Sequence, residues 1–335
     1  MSPSLPKTYK AVVVEAAGAP LKIAERELEQ PGPGQILVKV LACGVCHSDV
    51  GLQQGGFGDK LFPRVPGHEI IGDVVAVGDG VQKFSVGERA KTNSAANVSG
   101  ACFRFARMQS ATVCPRTGGY AEYVLLRAEA VARVPKDMDP AEVAPLLCAG
   151  VTVFNSIRKM SVEQGSLIAI QGVGGLGHLA VQYANKMGYK VAVISSSASK
   201  KDFAIKLGAH EYIDTSTTDA VKRLQELGGA GLIIATAPNP KIIGPLTAGL
   251  QSIGKLCILA PVGTIEVNSI DIITRGRSIT SWPGAHALDL EDAIDFAKTH
   301  GVKCMVERFS LDDVQKATDH MISNQVRFRS VLVME

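Results

Sequence analysis

The second half of the chain alternates short apolar runs with helix-like runs in a regular order. From residue 166 onward the apolar runs SLIAIQG, KVAVIS and GLIIATA are separated by amphipathic runs such as GHLAVQYANKMG and DAVKRLQELG. Strands that are apolar throughout indicate a parallel sheet covered on both faces. The pattern predicts an α/β domain with a doubly wound parallel sheet of Rossmann type. Residues 245–254, PLTAGLQSIG, are predicted to form one more helix before the strand GKLCILA.

The turn after the first of these strands carries a glycine pattern. Gly172, Gly174 and Gly177 in AIQGVGGLGHLA have the spacing G-x-G-x-x-G. The first glycine permits a tight turn, the second lets a pyrophosphate approach the backbone, and the third lets helix and strand pack closely. The helix that follows presents free N–H groups to phosphates. A turn that binds nothing is the alternative, but the strand before it and the helix after it favour a dinucleotide site that includes Gly175 and Leu176.

The end of the second apolar strand indicates which dinucleotide is preferred. An acidic residue there usually binds the ribose hydroxyls of NAD. VAVISSSASKK instead places Ser195 at that position, followed by Ser196, Ser197, Lys200 and Lys201. Hydroxyls and ammonium groups bind a 2′-phosphate, and no carboxylate is present to repel it. The residues equally suit a helix-capping loop with solvated lysines. We predict NADP(H) in preference to NAD(H).

The first third of the chain has the pattern of a mostly β domain. YKAVVVE, QILVKVLAC, EIIGDVVAVG and YAEYVLL are strand-like runs separated by glycine and proline. We predict a mostly β catalytic domain over residues 1–150 and a nucleotide-binding domain over residues 151–286. A C-terminal segment, residues 287–335, holds two helix patterns and a last strand, RSVLVME, and is expected to return to the first domain.

Composition narrows the function classes. Of the 335 residues 46% are hydrophobic and 20% are charged, and the net charge is +3, which gives no basic surface for nucleic acid. No apolar run approaches the roughly 20 residues of a membrane helix. The start, MSPSLPKTYK, lacks the apolar segment of a signal peptide, and seven cysteines without a leader favour thiols or metal ligands over disulfides. We expect a cytoplasmic protein.

Three separate motifs could supply a metal site. GVCHSD contains Cys46, VPGHEIIG contains His68 and Glu69, and PLLCAG contains Cys148. A catalytic zinc requires about three protein ligands and an open position. Taken one at a time, a buried cysteine is usually a small hydrophobic residue and a histidine is usually hydrogen-bonded. Their combination is more informative than any one of them.

The order of these motifs, together with GGYAEY, ATAPN, SWPG and RFRSVLVM, resembles the zinc-dependent alcohol dehydrogenases of the medium-chain dehydrogenase/reductase family over essentially the whole chain. The resemblance implies a GroES-like catalytic domain and a Rossmann domain. It implies Cys46, His68 and Cys148 as ligands of a catalytic zinc, with Glu69 as an exchanging ligand. The expected reaction interconverts alcohols with aldehydes or ketones by hydride transfer, with the metal as Lewis acid.

The resemblance also implies catalytic roles for residues beside Cys46. Asp49 would orient His68 by accepting its second N–H, although a turn-capping aspartate is the simpler interpretation. Ser48 would receive the alcohol proton. Relatives often end this relay at a histidine where this chain has Gly51, so either His47 or solvent completes it.

Further cofactor contacts are implied in the same way. His47 and Arg329 match positions that contact the pyrophosphate, while a solvated charge is the alternative for Arg329. Thr236 and Ala237 of ATAPN would line the cofactor site.

One segment departs from the family. SGACFRFARMQSATVC keeps Cys102 and Cys114 but has Phe105 and Met108 where relatives with a structural zinc have cysteine. Two thiols do not close a tetrahedral site. We therefore predict one zinc per chain. The remaining cysteines are predicted to be core residues: Cys43, Cys257 and Cys304.

The alternatives are a zinc-independent enoyl or quinone reductase of the same superfamily and a non-catalytic NADPH-binding relative. Phe57, Phe62 and Trp282 could line an apolar pocket or belong to the core. Small or aromatic primary alcohols and their aldehydes are the substrates that the resemblance implies, with neither nucleic acid nor membrane as partner. A homo-oligomer, a dimer or a tetramer, is expected from the resemblance.

Overall fold

The computed structural model describes residues 5–56, 58, 62–93, 117–282, 284–323 and 325–335. The chain divides into two compact units. The first unit comprises Met1–Val151, Pro283–Asp295 and Cys304–Glu335, and the second comprises Thr152–Trp282 and Phe296–Lys303.

The strands in chain order are β1 (Thr8–Val13), β2 (Lys22–Glu27), β3 (Gln35–Gly44), β4 (Glu69–Val77), β5 (Arg89–Asn93), β6 (Tyr123–Arg127), β7 (Ala132–Arg133), β8 (Leu167–Gln171), β9 (Lys190–Ser195), β10 (Glu211–Asp214), β11 (Ala230–Ala235), β12 (Leu250–Ile258), β13 (Ser278–Thr280), β14 (Val306–Ser310) and β15 (Arg329–Val333). The α-helices are α1 (His47–Gln53), α2 (Pro140–Val143), α3 (Ala149–Lys159), α4 (Gly177–Lys186), α5 (Lys201–Lys206), α6 (Ala220–Glu226), α7 (Pro240–Ile243), α8 (Ser269–Ile273), α9 (Ala287–His300) and α10 (Val314–Ile322).

The first unit is built around a mostly antiparallel sheet. Its strand order is β14-β15-β3-β4-β5-β7, with β6 also paired to β3, and β1 and β2 form a separate antiparallel pair. The C-terminal strand β15 pairs antiparallel with β3, so the end of the chain completes this sheet. Ile36, Val38 and Val40 point from β3 into a core that includes residues of β1, β4, β6 and α10. Alternating apolar residues on β3 bury one face in this way.

The second unit is the predicted doubly wound sheet. Its strands are parallel and run in the order β10-β9-β8-β11-β12-β13. Every residue of β11 is buried, as the unbroken apolar run predicts for a strand covered on both faces. The strand order changes direction between β8 and β11. Crevices at such a reversal are where open α/β sheets bind ligands.

One predicted helix is wrong. Residues 245–254 form a short 3₁₀ turn, Pro245–Gly249, and then enter strand β12 at Leu250. The apolar spacing of Leu246 and Leu250 imitates a helical face, but Gly249 and Gly254 have poor helix propensity. The parallel pairing with β11 then decides the conformation.

No single helix among the described residues is long and apolar enough to cross a membrane. The bent helix pair Pro140–Leu147 and Ala149–Lys159 has the length and composition of a membrane span. Most of its residues are buried inside the protein.

Candidate metal centre and dinucleotide turn

The first unit brings four potential metal ligands together. The ligand atoms of Cys46, His68, Glu69 and Cys148 all lie within 4.8 Å of one another. Cys46 caps α1 directly after β3, His68 immediately precedes β4, and Cys148 follows a 3₁₀ turn. The pairing of β3 with β4 places Gly44 opposite Glu69. A Cβ at Gly44 would lie 1.7 Å from Glu69 Oε2, so the glycine makes room for this carboxylate.

The donor set fits a zinc ion. His68 Nδ1 is 3.0 Å from Asp49 Oδ1, and both residues are buried. His68 Nε2 is buried and has no hydrogen-bond partner among the described residues. Leaving such an atom unsatisfied is costly, and a metal ion is a natural partner for it. Two thiols, one imidazole nitrogen and one carboxylate are ligands that zinc prefers.

The electrostatics favour the thiolate form of Cys46. A hydrogen bond from the Cys148 thiol, helped by His68, overcomes burial and lowers the pKa of Cys46 well below its usual value. The same hydrogen bond and burial raise the pKa of Cys148. Burial lowers the pKa of His68, but the Asp49 carboxylate and Cys46 outweigh it and hold that pKa well above its usual value. The thiolate form of cysteine is the metal ligand.

Glu69 is held by an ion pair. Its Oε1 accepts a close hydrogen bond from Arg329 Nη2, while its Oε2 is buried without a partner in the described part of the chain. Burial raises the pKa of Glu69 despite the opposing effect of Arg329. Arg329 begins β15 and is only 4% exposed, so it is not a solvated charge. Its contact with a pyrophosphate stays a prediction.

Asp49 combines both roles considered for it. One oxygen, Oδ2, accepts from Cys46 N at 3.0 Å and thereby caps α1, while Oδ1 faces His68. Gly67 N and Tyr120 Oη complete a set of four donors. Sequence reasoning missed Tyr120, because a tyrosine in GGYAEY carries no sign of a contact 71 residues away.

His47 and Ser48 occupy the first turn of α1. His47 is exposed and Ser48 is half-buried. Their predicted roles in proton transfer and cofactor contact remain predictions.

The dinucleotide turn in the second unit gives each glycine a separate task. Gly172 has φ +93°, a conformation that favours glycine, and a Cβ there would lie 2.7 Å from Ala237 Cβ. A Cβ at Gly177 would lie 1.9 Å from Gly172 O. At Gly174 a Cβ would meet nothing within 4 Å, which leaves open space where the motif expects a phosphate. Gly175 and Leu176 complete the turn, and Leu176 is the N-cap of α4.

Side chains also fix this turn. Thr236 Oγ1 donates to Gln171 O at 2.9 Å, and Ala237 N donates to Gln171 Oε1 at 3.1 Å, so the ends of β8 and β11 are tied together. His178 Nδ1 donates to Gly174 O at 3.0 Å. Sequence reasoning missed Gln171 and His178. Each lies next to a glycine of the motif, which is the one signal that could have found them.

The serine-rich segment follows β9 as predicted. Ser195 ends the strand and its carbonyl accepts from Thr215 N at 2.8 Å. Ser196 is exposed, and Ser197 Oγ lies 2.8 Å from the hydroxyl of Ser199. Lys200 Nζ donates to Val173 O at 3.1 Å, which brings its ammonium group to the glycine turn.

Several predicted positions lie outside the described residues: Phe57, Cys102, Phe105, Met108 and Cys114. The predicted loss of the structural zinc site concerns this part of the chain. Phe62 and Trp282 are half-buried and belong to different units. Cys43, Cys257 and Cys304 are buried, as expected for core residues.

Comparisons with known proteins agree with this architecture. Two family models match: the alcohol dehydrogenase GroES-like domain over residues 32–136 and the zinc-binding dehydrogenase over residues 175–317. The alcohol dehydrogenase patD of Penicillium expansum is 50% identical over 341 residues, which cover 100% of both chains. Two solved structures each match over 98% of both chains: a cinnamyl alcohol dehydrogenase from Sorghum bicolor (29% identity, TM-score 0.83) and an acetophenone reductase from Geotrichum candidum in complex with NAD (26% identity, TM-score 0.82). The chain therefore belongs to the alcohol dehydrogenases of the medium-chain dehydrogenase/reductase family and is an NAD(P)-dependent enzyme.

Proposed function

We propose that this alcohol dehydrogenase is zinc-dependent, uses NADP(H), and interconverts small alcohols with their aldehydes or ketones. The observation that carries the proposal is the convergence of four ligand atoms within 4.8 Å of one another. One of them is a buried imidazole nitrogen that has no hydrogen-bond partner in the described part of the chain. A zinc-independent enoyl or quinone reductase has no need of two thiols, an imidazole and a carboxylate gathered at one point.

In this proposal Cys46, His68 and Cys148 hold the metal, and Asp49 fixes the orientation of the His68 ring. Glu69 Oε1 remains paired with Arg329, and Glu69 Oε2 is available as an exchanging ligand. When bound, zinc supplies a Lewis acid for the substrate oxygen and makes an alcohol easier to deprotonate. As thiolates, Cys46 and Cys148 would balance the charge of the ion, so the site would be electrically neutral before the alcohol is deprotonated.

The proton of the alcohol is assigned to Ser48. Its hydroxyl sits in the first turn of α1, two residues after Cys46. Gly51 has no side chain with which to continue a relay. His47 is exposed beside Ser48, which supports proton release to solvent from this turn.

The preference for NADP(H) rests on the segment after β9. Ser195, Ser196 and Ser197 offer hydroxyls, and Lys200 holds an ammonium group against the glycine turn. No carboxylate occurs between Ser195 and Lys201. The Geotrichum candidum structure contains NAD, so the fold by itself does not select NADP(H), and the proposal depends on these side chains.

A homo-oligomer is proposed through the edge of the second sheet. Strand β13 ends the strand order, and the adjoining helix α8 carries Ile270 and Ile273, which are 64% and 77% exposed. Ile253 is also exposed close to this edge. An uncovered strand edge beside apolar side chains is typical of an interface.

The test is a panel of aliphatic and aromatic alcohols and aldehydes, run with NADPH and NADH on protein of measured metal content. We expect one zinc per chain, turnover that a chelator removes and zinc restores, and a higher kcat/KM with NADPH. Metal-free protein that reduces enones at full rate would favour the reductase alternative. Two zinc ions per chain would contradict the predicted loss of the structural site.

A further inference from the structure

We propose that Tyr120 is a positioning residue for the metal centre, acting through Asp49 on His68. The inference rests on the proposed zinc function and concerns how firmly the ion is held.

The hydrogen bonds form a continuous chain. Tyr120 Oη donates to Asp49 Oδ2 at 3.0 Å, and Asp49 Oδ1 lies 3.0 Å from His68 Nδ1. The three residues are 1%, 5% and 2% exposed, so water does not compete for these contacts. A carboxylate excluded from water depends on its donors for its orientation.

Asp49 receives two donors on each oxygen. Gly67 N at 3.1 Å and His68 Nδ1 bind Oδ1, whereas Cys46 N at 3.0 Å and Tyr120 Oη bind Oδ2. Gly67 N and Cys46 N are main-chain groups fixed by the fold. The Tyr120 hydroxyl therefore sets the orientation of the Asp49 carboxylate, and through it the orientation of the His68 ring.

The backbone around Tyr120 fixes the position of its ring. Tyr120 N donates to Pro66 O at 3.0 Å, and Gly119 N donates to Gly67 O at 2.9 Å. Gly67 has φ +95°, and a Cβ there would lie 2.4 Å from Tyr120 Cδ1. The ring thus packs directly on the residue before His68. Pro66 and Gly67, which directly precede His68, therefore also hold Tyr120 in position.

Removing the hydroxyl leaves Asp49 Oδ2 with only the Cys46 amide, while the ring and its packing stay. Outer contacts of this kind typically change metal affinity by 10- to 100-fold, and because Tyr120 acts through one further residue we expect the lower end. The Tyr120→Phe variant should therefore release zinc to a chromogenic chelator about tenfold faster than wild type. The Co²⁺-substituted variant should show a shifted d–d absorption band, because the imidazole orientation changes.

Tyr123→Phe is the matched control. Tyr123 packs edge-on against Tyr9 at 5.8 Å between ring centroids and lies three residues from Tyr120. It should release zinc at the wild-type rate and keep the wild-type Co²⁺ spectrum. Thermal melting of both variants, each without metal, checks that the fold is retained.

A double-mutant cycle separates positioning from general structure. In an Asp49→Asn background, Tyr120→Phe should change zinc release by less than twofold, because the residue through which it acts has already been altered. An equal acceleration in both backgrounds, or a wild-type rate and spectrum for Tyr120→Phe, would overturn the inference. A wild-type chain that binds no zinc would instead overturn the proposed metal function.

Discussion

The metal centre draws its side chains from three distant parts of the chain, whereas the dinucleotide turn is one continuous run of six residues. The first site consists of buried charged and polar groups. Several of them pair with one another, as in the Arg329–Glu69 pair and the four donors to Asp49, whereas His68 Nε2 has no hydrogen-bond partner among the described residues. The second depends on main-chain geometry that glycine allows, with a positive φ at Gly172 and a close approach of the backbone at Gly177. The comparison implies that each site should fail independently, since each lies within its own compact unit.

The largest effect is expected from removing a metal ligand. Cys46→Ala takes a thiolate from the cluster, so zinc content should fall to near zero and turnover by at least about 10³-fold. NADPH binding, measured by fluorescence titration, should stay within about twofold of wild type.

Cys43→Ala is the control for this variant. Cys43 is also buried, three residues earlier, but is not part of the ligand cluster. It should keep its zinc. Loss of NADPH binding in Cys46→Ala would contradict the independence of the two sites.

Two glycine variants impair the dinucleotide turn in different ways. Gly174→Ala adds a methyl group in open space, so the melting temperature should not change, but the methyl should obstruct the pyrophosphate and weaken NADPH binding about 100-fold, or about 2.7 kcal/mol. Gly177→Ala should in addition lower the melting temperature, because its Cβ would lie 1.9 Å from Gly172 O. Zinc content should be unchanged in both. Unaltered NADPH affinity in Gly174→Ala would show that phosphate does not approach this turn.

A carboxylate at the end of β9 should reverse the cofactor preference. Ser195→Asp introduces a charge that repels a 2′-phosphate and can bind ribose hydroxyls, so the ratio of kcat/KM for NADPH over NADH should fall at least about tenfold. Ser156→Ala, a buried serine elsewhere in the same unit, should leave that ratio unchanged. A ratio that does not respond to Ser195→Asp would place the selectivity in other residues.

The smallest predicted effect concerns a buried lysine in the metal-bearing unit. Lys91 is 1% exposed and its Nζ donates to Leu290 O at 3.2 Å. Burial lowers the pKa of Lys91 to about 7, against the opposing effect of Glu291 and Asp295. Above pH 7 the folded chain has lost this proton while the unfolded chain keeps it up to about pH 10.4, so this group makes stability rise with pH across that window.

Lys91→Met should remove that dependence. The displaced pKa of Lys91 sets a ceiling of about 4 kcal/mol at pH 7. Leaving Leu290 O without its donor costs up to about 3 kcal/mol at any pH, so the expected net gain in the free energy of unfolding is about 1 kcal/mol at pH 7. Near pH 10 the charge contribution is nearly gone, so the variant should be less stable than wild type there. Denaturant unfolding at pH 7 and pH 10 measures this change in stability. Lys39→Met, at a half-buried lysine on β3, is the control. An equal change at both pH values would show that packing, and not charge, causes it.

The two sites also differ in how far sequence predicts them. The glycine turn and the apolar strands are local patterns, and the structure reproduces the predicted parallel sheet around them. No single motif predicts the metal centre. Its ligands follow from the family resemblance that the motifs carry together, and the structure brings those residues together. The Tyr120–Asp49 and Arg329–Glu69 contacts span 71 and 260 residues, and no local pattern encodes such a distance. The wrong helix at residues 245–254 has the same origin, because pairing with β11 overrides local spacing.

The central claim is that Cys46, His68 and Cys148 share one zinc ion, and X-ray absorption at the zinc edge of the wild-type protein tests it most directly. The account predicts two sulfur ligands at about 2.3 Å and one imidazole nitrogen at about 2.0 Å, with one sulfur missing in whatever zinc Cys46→Ala retains. A shell of four sulfurs, or no zinc–sulfur scattering in the active enzyme, would contradict it.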